Sequence, residues 1–139
     1  MLEVSNMIAN DSENIVSAVF LTFSGNCKKA LTFYQTCFGG TLQFETFGQE
    51  LKGYTKLPVV SGSLISDRMV IHGSDLVHDE GRILGNYMAI FLPCKNRQER
   101  KELLEKLGYN EMKLHVPNKD DLKLIEVTDA FDVRWVLSA

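Results

Sequence analysis

The order of apolar and polar positions divides the chain into short strands and two helices, and that order occurs twice. Residues 18–23 are β-branched and aromatic, as strands are. Ser24, Gly25 and Asn26 follow as a turn that supplies an N-cap donor. From Cys27 onward, Ala30, Leu31, Phe33, Tyr34 and Phe38 recur at three- and four-residue spacing, which places them on one helical face while Lys28, Lys29, Thr32 and Gln35 face water. Gly39 and Gly40 end this helix, since glycine takes up the left-handed cap conformation without steric cost. Residues 41–47 alternate as a strand, 48–58 read as a loop, and 59–66 and 68–73 are two further strands about a turn at Ser66, Asp67 and Arg68. The first half therefore reads βαβββ. Residues 74–84, with Asp75, Asp79, Glu80 and Gly81, read as a polar connection.

The second half repeats the order. Residues 86–93 form a strand, and 97–107 form a helix with Leu103, Leu104 and Leu107 on its buried face and Gly108 as its stop. Residues 112–116, 122–128 and 133–138 supply three more strands. A helix-led strand triplet occurring twice in 139 residues is the signature of an internal repeat. The expected fold class is α+β, with paired βαβββ modules at about 18–75 and 85–139 in a single domain of residues 18–139. Residues 1–17 are polar and weakly patterned and read as a flexible N-terminal extension.

Composition narrows the partners more than the activity. A chain this long buries roughly two thirds of its unfolded surface, enough for a core without disulfide staples. Fifteen basic and 18 acidic residues give a formal charge of -3, with no block of like charge and no basic stripe, so nucleic acid is not an expected partner. No apolar run approaches the roughly 20 residues needed to span a bilayer, so no membrane span is expected. Cys27, Cys37 and Cys94 are odd in number and lack C-x-x-C spacing, and no secretory leader pattern opens the sequence, which points to the reducing cytoplasm.

Two stretches carry a resemblance to a known family: Leu21, Thr22, Phe23, Ser24, Gly25 and Asn26 with Ala30, Phe33, Tyr34, Phe38, Gly39 and Gly40, and the run from Thr128 through Asp129, Ala130, Phe131, Asp132, Val133 and Arg134 to Trp135. Across roughly residues 18–139 the chain resembles the vicinal oxygen chelate superfamily, which includes glyoxalase I, extradiol dioxygenases and bleomycin-resistance proteins. Within it, the match is to the PhnB-like proteins, often labelled demethylubiquinone methyltransferase-like. The resemblance implies two βαβββ modules curled around a shared cavity, in a homodimer. In metal-using members, one side chain from the first and last strand of each module points into that cavity, and His, Glu or Gln there supply lone pairs to a divalent ion at about 2 Å.

Carried onto this chain, those positions fall on Val19, near the end of the strand holding Val70, Ile71 and His72, on Asn86 or Tyr87, and on Val136. Valine has no donor atom. The place where related proteins often have a further histidine corresponds to about Ser61, and His72 is left as the one metal candidate, weighed against a hydrogen-bonded structural histidine. His78 and His115 have no partner at a metal-ligand spacing. If Val19 and Val136 point inward, the two-residue period of strands puts Leu21, Phe23, Arg134 and Ser138 on the cavity side and leaves Trp135 in the core.

The leading functional reading is a protein that binds a small, partly apolar molecule without a metal or other cofactor, with Phe23, His72, Tyr87 and Arg134 as ligand-binding residues. A divalent-metal lyase or dioxygenase using His72 and an unrecognised carboxylate is the second reading. A structural dimer whose cavity is filled by its own side chains is the third. Other constellations have less support: there is no G-x-S-x-G, P-loop or G-x-G-x-x-G, and methyl transfer rests on the subfamily label alone. Cys27 near a helix N-terminus is a candidate reactive thiol, set against a buried structural one. Glu45, Glu50 and Glu126 are general-base candidates only if they face the cavity, surface placement being the default.

Overall fold

The computed structural model describes residues 17–46, 58–75, 84–85, 87–108 and 122–139. The chain divides into two compact units, Met1–Arg82 and Ile83–Ala139. The expected N-terminal extension, the strand at 112–116, His78, His115, Glu50 and Asn86 lie outside the described residues, as does nearly all of the loop at 48–58.

In the first unit the elements are β1 (Val19–Thr22), α1 (Cys27–Phe38), β2 (Thr41–Thr46), β3 (Val59–Ile65) and β4 (Val70–Ser74). The sheet order is β1-β4-β3-β2, with β1 and β4 parallel and the other pairs antiparallel. Helix α1 buries Cys27, Ala30, Leu31, Tyr34 and Cys37, while Phe33 and Phe38 are only half-buried. The buried stripe thus runs through Cys37 rather than Phe38. The helix can sit close because glycines stand beneath it: a Cβ on Gly62 would lie 2.8 Å from Leu31 Cδ1, and one on Gly73 3.0 Å from Cys27 Sγ. Gly62, Leu64, Ile71 and Gly73 therefore share the helix-covered face, and the residues alternating with them share the other.

The turn into α1 is held by a residue far away in sequence. Asn26 makes no side-chain cap hydrogen bond. Instead Asp75, only 2% exposed, accepts the Gly25 and Cys27 N–H groups on Oδ1 and the Val59 N–H on Oδ2, each at 2.9 Å. The expectation of Asp75 in a polar connection is thereby corrected: its carboxylate is a buried clasp joining the end of β4 to the start of β3 and the first turn of α1. An anion at a helix N-terminus is favoured by both the orphan amides and the helix dipole.

The second unit contains β5 (Ile90–Pro93), α2 (Arg97–Lys106), β6 (Leu124–Thr128) and β7 (Arg134–Ser138). Its sheet order is β5-β7-β6, with β5 parallel to β7 and β6 antiparallel to it. The expected strand at 86–93 is shortened to its last four residues. The repeat reaches individual hydrogen bonds, since Phe23 N–H donates to Ser74 O at 2.8 Å and Cys94 N–H donates to Ser138 O at 3.0 Å. Helix α2 is capped locally: Asn96 Oδ1 accepts the Glu99 N–H at 2.8 Å, and the Lys95 N–H donates to Glu99 Oε1 at 3.1 Å. Leu103, Leu104 and Leu107 are buried, as are Ile125, Val127, Trp135 and Leu137. Arg100 is buried and donates from Nη1 to Leu122 O at 2.7 Å.

The segment from Thr128 to Trp135 forms a turn around Asp129. Its Oδ1 accepts the Phe131 and Val133 N–H groups at 2.8 and 3.1 Å, and its Oδ2 accepts Trp135 Nε1–H at 2.9 Å. Asp132 completes the turn at φ 66°, a left-handed conformation that Asp tolerates better than most residues. No helix among the described residues is long and apolar enough to cross a membrane.

Candidate functional site

On the face of the first sheet opposite α1, cross-strand register sets four side chains in one row. Phe20 pairs with His72, His72 with Ser63, and Ser63 with Gln43. Phe20 is 64% exposed, His72 and Gln43 are half-buried, and Ser63 is 1% exposed. Ser63 Oγ lies 2.8 Å from His72 Nδ1. Gln43 Oε1 is buried and takes no hydrogen bond. Thr22, Ser61 and Glu45 lie on the same face by alternation. Burial holds the His72 ring below the usual histidine range, so it is neutral at pH 7.

This register corrects the expected orientation of β1. Val19 pairs with Ile71 and Leu21 with Gly73, so both are on the helix side. Phe23, expected to line a cavity, is 0% exposed, and its Cε2 stands 3.1 Å from where a Gly73 Cβ would be. It is a core residue under α1. A one-residue shift of parity exchanges the faces, which puts Phe20 rather than Val19 or Phe23 beside His72. On β7 the expected parity matches the burial pattern: Arg134, Val136 and Ser138 are half-exposed, whereas Trp135 and Leu137 are buried.

In the second unit, Arg134 donates from Nε and Nη2 to Glu126 Oε1 at 2.8 and 2.5 Å, and from Nη1 to Met88 O at 3.3 Å. The contact with Met88 brings Arg134 to the segment that holds Tyr87, which is 86% exposed and lies outside any strand. Phe91 and Leu124 are also exposed in this unit. Glu126 is thus an ion-pair partner on an exposed surface.

A divalent ion, of the kind that metal-using members of the resembled superfamily hold, needs several hard or nitrogen donors converging on one point. Among the described residues, no group of three or more His, Cys, Asp and Glu side chains comes together in that way. The row neighbours of His72 are a phenyl ring, a hydroxyl and, beyond it, an amide. These residues do not fit a metal. Cys27 does not serve as a reactive thiol either: it is fully buried, and burial, followed by the nearby Asp75 carboxylate, pushes its thiol up to about 12.

The sequence offered one sign of this site, a histidine on a strand. Ser63 and Phe20 become visible only with the strand register, because their separation from His72 follows no local period. Gln43, a third strand away, carries no sequence signal at all.

No family model matches the chain. No curated protein matches it either. Solved structures do. Protein PA1353 of Pseudomonas aeruginosa is 21% identical with a TM-score of 0.63, over 88% of this chain and 97% of that one. The PhnB protein of Bacillus cereus is 17% identical with a TM-score of 0.65, over the same shares, 88% and 97%. The genomically encoded fosfomycin resistance protein FosX of Listeria monocytogenes is 18% identical with a TM-score of 0.55, over 89% of each chain. With the βαβββ order of the first unit and its partial repeat in the second, these similarities establish that the chain has the glyoxalase/bleomycin-resistance fold of the vicinal oxygen chelate proteins.

Proposed function

We propose that this protein binds a small, partly apolar molecule, without a metal, on the face of its four-stranded sheet opposite α1. The observation that carries the reading is the juxtaposition of an exposed phenyl ring, Phe20, with the half-buried His72–Ser63 pair. Small-molecule sites combine an apolar surface with a few fixed polar groups, and this row has both. Phe20 offers the ring of a ligand a stacking or edge contact, and His72 orients it through the nitrogen that Ser63 leaves free. Tyr87 and Arg134 are proposed as further ligand contacts of the second unit. The exposed Met88, Phe91 and Leu124 support the homodimer that the family resemblance implies, which light scattering on purified protein would measure.

The test is a thermal-shift screen of chelator-stripped protein against small aromatic and alicyclic compounds, with Zn, Ni, Mn and Fe ions alongside. A ligand is expected to raise Tm saturably in the wild type and far less in Phe20→Ser. A saturable metal-dependent rise that disappears in His72→Ala would replace this reading with divalent-metal chemistry.

A further inference from the structure

We infer that Ser63 holds His72 as the neutral tautomer with its proton on Nε2, so that the sheet face presents a fixed hydrogen-bond donor and selects an apolar ligand carrying a neutral carbonyl oxygen. This rests on the small-molecule reading above and names the chemistry of its ligand.

Ser63 Oγ has one hydrogen and lies 2.8 Å from His72 Nδ1. Among the described residues neither side chain has another hydrogen-bond partner. Two arrangements are possible for the pair. If the hydroxyl donates to Nδ1, the buried serine is satisfied, and the ring proton must sit on Nε2. If Nδ1–H donates to Oγ, the serine hydrogen is left inside the protein with no acceptor, at a residue 1% exposed. Gln43, the cross-strand neighbour of Ser63, does not supply that acceptor, since its Oε1 has no hydrogen-bond partner. The first arrangement leaves no buried hydrogen unpaired.

Three consequences follow for the ligand. Nε2–H is a donor, so its partner is an acceptor. Among the described residues, the strand positions on this face include no Lys or Arg, so a neutral carbonyl suits it better than a carboxylate. A metal ion would need the Nε2 lone pair, hence Nδ1–H, hence the orphaned serine hydrogen; the donor set and the serine therefore disfavour a metal for independent reasons.

Long-range 1H–15N spectra of the 15N-labelled full chain at mildly alkaline pH read the tautomer directly. The expected result is a pyrrole-type Nε2 and a pyridine-type Nδ1 at His72, relaxing to a mixture in Ser63→Ala; the Nδ1–H form in the wild type would overturn the inference. Should Ser63→Ala fail to fold, the wild-type spectrum decides alone. In parallel, acetophenone, ethylbenzene and benzoate are titrated while the Phe20 ring resonances are followed. Acetophenone is expected to bind roughly tenfold more tightly than ethylbenzene, the value of about one net hydrogen bond, and more tightly than benzoate. The preference should vanish in His72→Phe and persist in His72→Gln, which restores an N–H. Equal binding of acetophenone and ethylbenzene overturns the donor and leaves the binding face standing; if no probe disturbs Phe20, the face itself is wrong.

Discussion

Replacing Asp75 by alanine removes a side chain that ties three separate segments of the first unit together. Its carboxylate accepts three backbone N–H groups at 2.9 Å, from Gly25, Cys27 and Val59. Hydrogen bonds to a charged group are worth about 1.5–3 kcal/mol each, and a buried amide left without an acceptor costs about 1–3 kcal/mol. Against this stands the hydration that the carboxylate gives up on burial, which its removal recovers. The expected loss is therefore ~3–5 kcal/mol rather than the full sum, still a large share of the ~5–15 kcal/mol typical of a domain. Asp75→Asn separates the two oxygens. An amide keeps Oδ1 for Gly25 and Cys27 but turns an NH2 group toward the Val59 N–H, donor against donor, so it should lose about half as much, ~1.5–3 kcal/mol. Urea unfolding followed by circular dichroism measures both, provided the slope m is unchanged. An alanine variant within ~1 kcal/mol of wild type, or an asparagine variant as damaged as alanine, would refute the clasp.

Three further outcomes are expected. In the native protein a thiol reagent at pH 8 should label the half-exposed Cys94 quickly and Cys27 only on unfolding, because the Cys27 thiol is raised to about 12; equal labelling rates would contradict this. Gly40→Ala should destabilise by more than about 2 kcal/mol, since Gly40 has φ 107° and a Cβ there would lie 2.4 Å from Ile65 O, whereas Gly39→Ala, at φ 73° with open space, should cost about 1–2 kcal/mol. His72 should titrate below the ~6.5 of a free histidine in an NMR pH series. As its folded value is depressed, the unfolded chain binds the proton first, so His72 lends full stability above the unfolded value and loses it as pH falls toward the folded one; the corresponding slope should be absent in His72→Gln.

The sequence was legible where local periodicity carries the information. Helix α1, its glycine stop and the alternation of β7 follow from spacing within a dozen residues, and the structure places them as read; of the repeated order, the described residues of the second unit show a strand, a helix and two strands. It was illegible where a contact joins distant segments. The parity of β1 was misread because Val19, Phe20 and Leu21 are all apolar, so nothing local says which faces the helix; only pairing with Ile71 and Gly73 decides. Asp75 looked like a solvated loop acid for the same reason, its three partners lying 16 to 50 residues away. The site was half visible: His72 announced itself, but its serine came from an adjacent strand and its phenyl ring from the start of the module.

In both sheets the strand made last lies in the interior, β4 between β1 and β3 and β7 between β5 and β6. During synthesis, Val19 must wait for Ile71, 71 − 19 = 52 residues later, before it has a neighbour in its sheet. At ~5–20 residues per second that is several seconds with β1, and the aromatic Phe20 on it, unpaired. Until its last strand is made, each module is open down the middle, and the danger of mispairing belongs to nascent chains rather than to the finished molecule. A premature stop before Arg134 would remove the strand that joins β5 to β6, so even a short truncation leaves two strands with nothing between them.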